Sequence, residues 1–270
     1  MKLKTFISLV LITINFNALL CLKLDTKQLY LDIMKKILIN TIYEDFSTFP
    51  DKNKNKYNKE IREEGKDWPA VAHTMVGLKR LDNIQYCVEN VLKNKIPGDL
   101  VETGVWRGGS TIFMRAILKA YNINDRNVWV VDSFQGLPKS DEKNYPADKG
   151  MDWSKIKELS VSLETVKSNF LKYDLLDDQV KFLKGWFKDT LPSAPIEKIA
   201  VLRLDGDMYE STMDSLNNLY AKVLKGGFVI VDDWCVPACV KAVNDFRRLH
   251  NITDPIIKVD FTGVYWQKTQ

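Results

Sequence analysis

The chain is predicted to be an α/β protein built on a mostly parallel sheet with helices on both faces. After Asp99, short apolar runs alternate with stretches of helical period, and several of those runs end in a carboxylate. Composition agrees: 270 residues, 45% hydrophobic and 27% charged, are enough for one full core and ordinary for a globular chain. The net charge is only +4, and the basic residues are dispersed apart from a solvated Lys/Asn stretch at Lys52 to Lys59. No nucleic-acid footprint is present in that pattern. Cys21, Cys87, Cys235 and Cys239 form neither a CxxC pair nor a zinc-finger spacing, so no disulfide framework is expected. Cys235 and Cys239 read as buried small hydrophobes.

Taken in chain order, Lys2 and Lys4 precede a mostly apolar run from Phe6 to Leu22. That run is short for a membrane span and is interrupted by Ser8, Thr13, Asn15 and Asn17, which suits a signal peptide, but no small-residue pair marks a cleavage site. Residues 1–23 are therefore expected to be a signal peptide or an uncleaved anchor. Residues 24–98 read as an N-terminal helical and lid region. In it Leu29, Ile33, Ile37 and Ile42 form the apolar face of a helix from Leu29 to Tyr43. Asp45 to Lys66 is polar and reads as a long loop or lid. Asp67-Trp68-Pro69 offers an acceptor and an early proline, which predicts a helix over Ala70 to Leu92, closed by Pro97-Gly98.

Residues 99–270 carry the core. Strands are expected at Leu100 to Thr103, Val128 to Asp132, Val180 to Leu183, Ile199 to Asp205 and Phe228 to Asp233. Helices are expected near Ser110 to Tyr121, Leu163 to Tyr173, Ser211 to Leu224 and Ala238 to His250. Ile256 to Asp260 and Gly263 to Gln267, around the Thr262-Gly263 turn signal, predict an antiparallel hairpin at the sheet edge.

Two strand ends stand out: Leu202-Arg203-Leu204-Asp205-Gly206-Asp207 and Val229-Ile230-Val231-Asp232-Asp233. Parallel strands ending side by side gather these carboxylates at one edge of the sheet, where their repulsion calls for a cation. Hard oxygen ligands suit magnesium. Asp214 and Asp245, by contrast, are read as helix caps or solvated residues.

The turn Glu102-Thr103-Gly104-Val105-Trp106-Arg107-Gly108-Gly109 faces the ligand crevice of such a sheet. Trp106 stands where a dinucleotide fingerprint needs its second glycine, which disfavours NAD. Glu102 suits a cationic amino-acid cofactor, and S-adenosylmethionine carries both an ammonium and a sulfonium group. Gly104, Gly108 and Gly109 read equally as tight-turn residues. Asp132 is placed to bind a ribose diol, and Gly185-Trp186-Phe187 offers either an adenine wall or core.

From Tyr30 to Trp266 the chain resembles the macrocin O-methyltransferase family. The resemblance rests on Tyr30-Leu31-Asp32, Ala72-His73-Thr74-Met75, Glu102 to Gly109, Asp132-Ser133-Phe134-Gln135-Gly136-Leu137-Pro138, Gly185 to Pro192, Leu204 to Thr212 and Val231-Asp232-Asp233. It implies a class I, Rossmann-like methyltransferase fold and magnesium-dependent transfer from S-adenosylmethionine to a sugar hydroxyl of a small-molecule glycoside. By the same resemblance Asp205, Asp232 and Asp233 hold the metal and Asp207 is the general base. The cofactor is bound by Glu102, Thr103, Gly104, Val105 and Trp106, by Asp132, Ser133, Phe134, Gln135 and Gly136, and by Thr74 and Met75, with Ser162 and Asp189 as further contacts. His73 is the reserve base, against a plain helical role, and His250 reads as a surface or capping residue.

Two other classes fit parts of the pattern. Asp205-Gly206-Asp207 has the DxD spacing with which nucleotide-sugar glycosyltransferases hold a metal diphosphate, and a retained fold could serve as a non-catalytic scaffold. The compartment stays open, because S-adenosylmethionine is made in the cytoplasm: an anchored chain keeps its catalytic part there, whereas a cleaved one enters the secretory pathway. Membrane association through residues 6–22 and homo-oligomer formation are equally left open.

Overall fold

The computed structural model describes residues 25–49, 52 and 54–270, so the expectation for residues 1–23 lies outside the described residues. Helix α1 (Thr26–Leu38) is capped by Asp25, whose side chain accepts from the Lys27 and Gln28 amides. Its buried residues are Leu31, Met34, Lys35 and Leu38. Leu29, Ile33, Ile37 and Ile42, expected as the apolar face, are instead exposed. Both sets recur at helical spacing, so the sequence offers two stripes, and packing against a later helix selects one of them.

The segment read as a loop holds β1 (Ser47–Phe49), α2 (Lys59–Glu63) and, just beyond it, β2 (Trp68–Pro69), which pairs antiparallel with β1. Buried Arg62 ties these pieces together. It donates to both oxygens of Asp67, to Asp45 Oδ1 at 2.7 Å and to the Ile39 carbonyl at 2.9 Å. Asp45 Oδ2 in turn accepts the Val71 amide at 2.6 Å. With Asp67 held by Arg62 and Pro69 in a strand, the helix expected from Ala70 starts only at Leu78 (α3, Leu78–Lys93). Residues 70–77 stay non-helical, and Thr74 and Met75 reach the cavity described below.

The remaining elements follow the predicted alternation: β3 (Asp99–Thr103), α4 (Gly109–Ala120), β4 (Val128–Asp132), α5 (Leu163–Leu171), β5 (Val180–Lys184), α6 (Phe187–Thr190), β6 (Ile199–Leu204), α7 (Tyr209–Leu219), β7 (Val223–Val231), α8 (Pro237–Leu249), β8 (Ile257–Lys258) and β9 (Val264–Gln267). The sheet order is β5-β4-β3-β6-β7-β9-β8; β3 to β7 are parallel, and the closing hairpin adds antiparallel strands at one edge. β7 begins five residues before the expected Phe228, because the helix expected to run to Leu224 ends at Leu219 and Gly226-Gly227 sit inside a strand whose pairing with β6 shifts register between Ile199 and Val201.

Strand residues alternate between two cores. Leu100, Val128 and Val130 pack with Leu31, Ile84 and Phe113 on one face; Val101, Val131, Leu202 and Val229 pack with Leu216, Val243 and Trp266 on the other. α1 and α3 belong to the first layer, so packing runs across the change of sequence pattern at residue 98. The order reverses between β3 and β6, which opens a crevice at their carboxyl ends. Among the described residues no helix is long and apolar enough to cross a membrane.

Arg62, Asp45 and Asp67 side chains are 1%, 8% and 2% exposed. Replacing Arg62 by alanine leaves two buried carboxylates without their cation and is expected to lower unfolding free energy by about 3–5 kcal/mol in urea denaturation.

Candidate active site

The carboxyl ends of β3, β4, β6 and β7 open into one cavity of about 740 Å³. On its β3 side the chain turns through Gly104 at φ 86°, where an added Cβ would overlap the Asp205 carbonyl oxygen. Trp106 follows at φ 48°, its indole donating to the Glu158 carbonyl at 2.8 Å. Asp132, at the end of β4, accepts the Val105 amide at 2.8 Å and the Phe134 amide at 2.7 Å, so one carboxylate fixes both cofactor-side loops. Burial raises its pKa, and those amide bonds hold the rise back.

Of the residues the sequence assigned to cofactor binding, Thr74, Met75, Glu102, Gly104, Val105, Trp106, Asp132, Ser133 and Gly136 line the cavity, as do Trp186 and Phe187. Five do not reach its wall. Thr103 lies buried beneath it and accepts the Ser215 hydroxyl. Phe134 packs in the core and Gln135 is exposed. Ser162 is spent capping α5, and Asp189 is exposed on α6.

The acidic cluster assembles as the strand ends predict. Asp205, Asp232 and Asp233 each offer an oxygen within 4.8 Å of the others, and Asp207 joins them through its amide, which donates to Asp233 Oδ2 at 2.9 Å. Burial, then the neighbouring carboxylates, pushes Asp205 up to about 6, Asp207 up to about 7 and Asp233 well above the usual carboxylate range. Burial opposes ionisation of Asp232 too, yet Arg203 and Arg80 hold its carboxyl below that range. Burial pushes Glu102 up to about 8 against the pull of Arg203. Most of the cluster is thus short of positive charge.

Two arginines that carry no motif in the sequence, and three residues read there otherwise, complete the surroundings of this site. Arg203, wholly buried on β6, donates to Glu102, Asp205 and Asp232. Arg80, from α3, donates to Asp232 Oδ2 at 2.5 Å, Asp260 at 3.0 Å and the Gly65 carbonyl at 3.1 Å. Asp214 lies inside α7 and lines the cavity, its pKa pushed up to about 6 by burial and then by Glu210, so it is not a cap. Asp245 is inside α8, paired with Lys241 and Arg248. Cys235 is exposed at the cavity and accepts the Thr262 hydroxyl, unlike buried Cys87 and Cys239.

Residues 27–268 match the family described as Macrocin-O-methyltransferase (TylF). The chain belongs to the macrocin O-methyltransferase family. It is 56% identical over 247 residues to demethyldecarbamoylnovobiocin O-methyltransferase of Streptomyces niveus, covering 90% of this chain and 94% of that one. It is 51% identical to mycinamicin III 3''-O-methyltransferase of Micromonospora griseorubida, covering 90% and 97%. The solved O-methyltransferase NovP superposes with a TM-score of 0.86 at 55% identity, over 90% of this chain and all of that one. The calicheamicin methyltransferase CalS11, 19% identical with a TM-score of 0.56 over 70% of this chain and 79% of that one, shares the fold. The chain is therefore an O-methyltransferase of the class I type, dependent on S-adenosylmethionine.

In this methyltransferase His73 is outside the cavity wall and outside any helix. Its Nδ1 lies 2.6 Å from the Tyr173 hydroxyl, and its carbonyl accepts the Gly109 amide at the start of α4. Both contacts favour a structural role over that of reserve base. His250 ends α8, exposed, as expected. Burial, then Lys172 and Arg107, lowers the His73 pKa from 6.5 to about 4. A neutral imidazole in the fold against a protonated one in the unfolded chain means full stability above pH 6.5 and a loss as pH falls toward 4. The loss is at most about 3 kcal/mol, less the share screened by solvent. Urea unfolding between pH 7 and 4 should show a shallower pH slope in His73→Gln.

Proposed function

We propose that the chain methylates a hydroxyl of a sugar borne by a small molecule, with a divalent cation of the magnesium type held by Asp205, Asp232 and Asp233. The observation that carries the metal reading is the convergence of three carboxylates whose oxygens lie within 4.8 Å, in a cluster with too little positive charge. The acceptor class is supported by the relatives, one named for the 4' position of a rhamnosyl tetracenomycin and another for the 3'' position of mycinamicin III.

The cofactor side fits a cationic amino acid. Glu102 is 1% exposed and lines the cavity, and its Oε2 has no hydrogen-bond partner. That orphan oxygen is suited to an ammonium group, and Asp132 to a ribose diol. When bound, S-adenosylmethionine supplies the electrophilic methyl, and the cation a Lewis acid for the hydroxyl oxygen.

The residues then divide the work. Asp205, Asp232 and Asp233 hold the metal. Asp207 sits beside them with its backbone at φ 59° and its amide fixed on Asp233, and it lines the same cavity, so its carboxylate takes the hydroxyl proton. Trp186 and Phe187 contribute apolar wall and exclude water from the transfer path. The apolar run from Phe6 to Leu22 sets the compartment, as an address or an anchor.

Titration of the full chain with S-adenosylhomocysteine, with and without magnesium and with UDP-glucose as control, tests the pocket. Heat from the homocysteine compound and none from UDP-glucose is expected; a metal-dependent UDP-glucose signal alone would overturn the reading. For the base, Asp207→Asn should bind S-adenosylhomocysteine within a few-fold of wild type and lose about 10²- to 10⁴-fold in kcat. Near-normal turnover would remove Asp207 from that role.

A further inference from the structure

Five carboxylates, Glu102, Asp205, Asp207, Asp232 and Asp233, meet at the strand ends, and two guanidiniums face them. The two are not equivalent. Arg80 is shared with Asp260, the Gly65 carbonyl and the ring of Phe261, all away from the cluster. Arg203 has all three of its partners within it: Glu102, its parallel cross-strand neighbour on β3, Asp205 two residues on at 2.6 Å, and Asp232 past the end of β7. Its side chain is 1% exposed, and its Nε has no partner, so nothing else in the fold competes for it.

Two of these partners, Asp205 and Asp232, are also two of the three carboxylates assigned to the metal. We infer that Arg203 is a resident cation that stands in for the metal: it lets the acidic cluster fold before a divalent ion is loaded, and it weakens that ion's hold by sharing its ligands. This rests on the metal reading above. Without Arg203 the empty cluster would bury carboxylates with little compensation, whereas a loaded ion would supply the missing charge. An arginine suits the role, since its fork can serve several carboxylates and its charge is not lost on burial.

The consequence distinguishes a charge substitute from an ordinary buried side chain. Thermal unfolding of wild type, Arg203→Met and Arg203→Lys is measured with EDTA and with saturating magnesium, and magnesium binding is followed by calorimetry. Arg203→Met should melt about 10 °C or more below wild type in EDTA and recover most of that difference in magnesium. Its folded form should bind magnesium about tenfold more tightly, or better, than wild type. Arg203→Lys, which keeps the charge but not the fork, should melt between wild type and Arg203→Met in EDTA, and it carries the test where Arg203→Met cannot be recovered without magnesium.

Equal melting losses in EDTA and magnesium, or an unchanged magnesium affinity in Arg203→Met, would overturn the inference while leaving the metal reading intact. A lysine variant no better than the methionine one would overturn it as well, since shape rather than charge would then be at issue. Absence of magnesium binding in all three proteins would remove the metal reading and the inference together.

Discussion

The buried guanidinium of Arg203 allows three carboxylates from neighbouring strands to stand at one edge of the sheet. Glu102 lies on β3, Asp205 and Asp232 follow the ends of β6 and β7, all three line the cavity, and these strands are adjacent in the order β3-β6-β7. Because β3 and β6 pair in register at Glu102 and Arg203, the distance between these two strand ends is set by backbone hydrogen bonds rather than by loops. A methyl donor and an activated hydroxyl must approach in line, and a rigid sheet edge is a firm frame for that alignment.

Much of this was legible in the sequence, and the residues that were not share a cause. The parallel strands announce themselves as apolar runs, and their acidic ends fall at the carboxyl edge because strand direction is fixed once the crossovers are helical. Arg203 escaped notice because one basic residue inside Val201-Leu202-Arg203-Leu204 carries no pattern; its meaning comes from partners on two other strands. Asp214 reads in the sequence as a cap or a solvated residue, because only the packing of α7 turns it toward the cavity. The helix expected from Ala70 failed differently. Asp67 and Pro69 do look like a cap and a first-turn proline, but a buried arginine at position 62 claims the aspartate. Helix α1 shows the limit of periodicity itself, because Leu29-Ile33-Ile37 and Leu31-Met34-Leu38 fit one period equally well.

The described residues between α1 and α3 have an architecture of their own. Arg62 gathers Ile39, Asp45 and Asp67 around one side chain, and Asp45 passes the connection on to the amides of Val71 and Ala72. Next along the chain are Thr74 and Met75, on the cavity wall. The path from Asp67 to Ala72 is thereby fixed, so the cavity gains a formed wall on this side.

Three non-glycine residues at the cavity loops, Trp106 after β3, Phe134 after β4 and Asp207 after β6, have left-handed backbones, at φ 48°, 56° and 59°. Each stores roughly 1 kcal/mol that glycine would not. At these three turns backbone ease and side-chain contacts are therefore in opposition. A glycine at any of the three would relax the turn yet remove an indole that ties down Glu158, a phenyl ring from the core, or a carboxylate of the acidic cluster. An engineer relieving that strain would give up, at each of the three turns, a contact that the side chain makes.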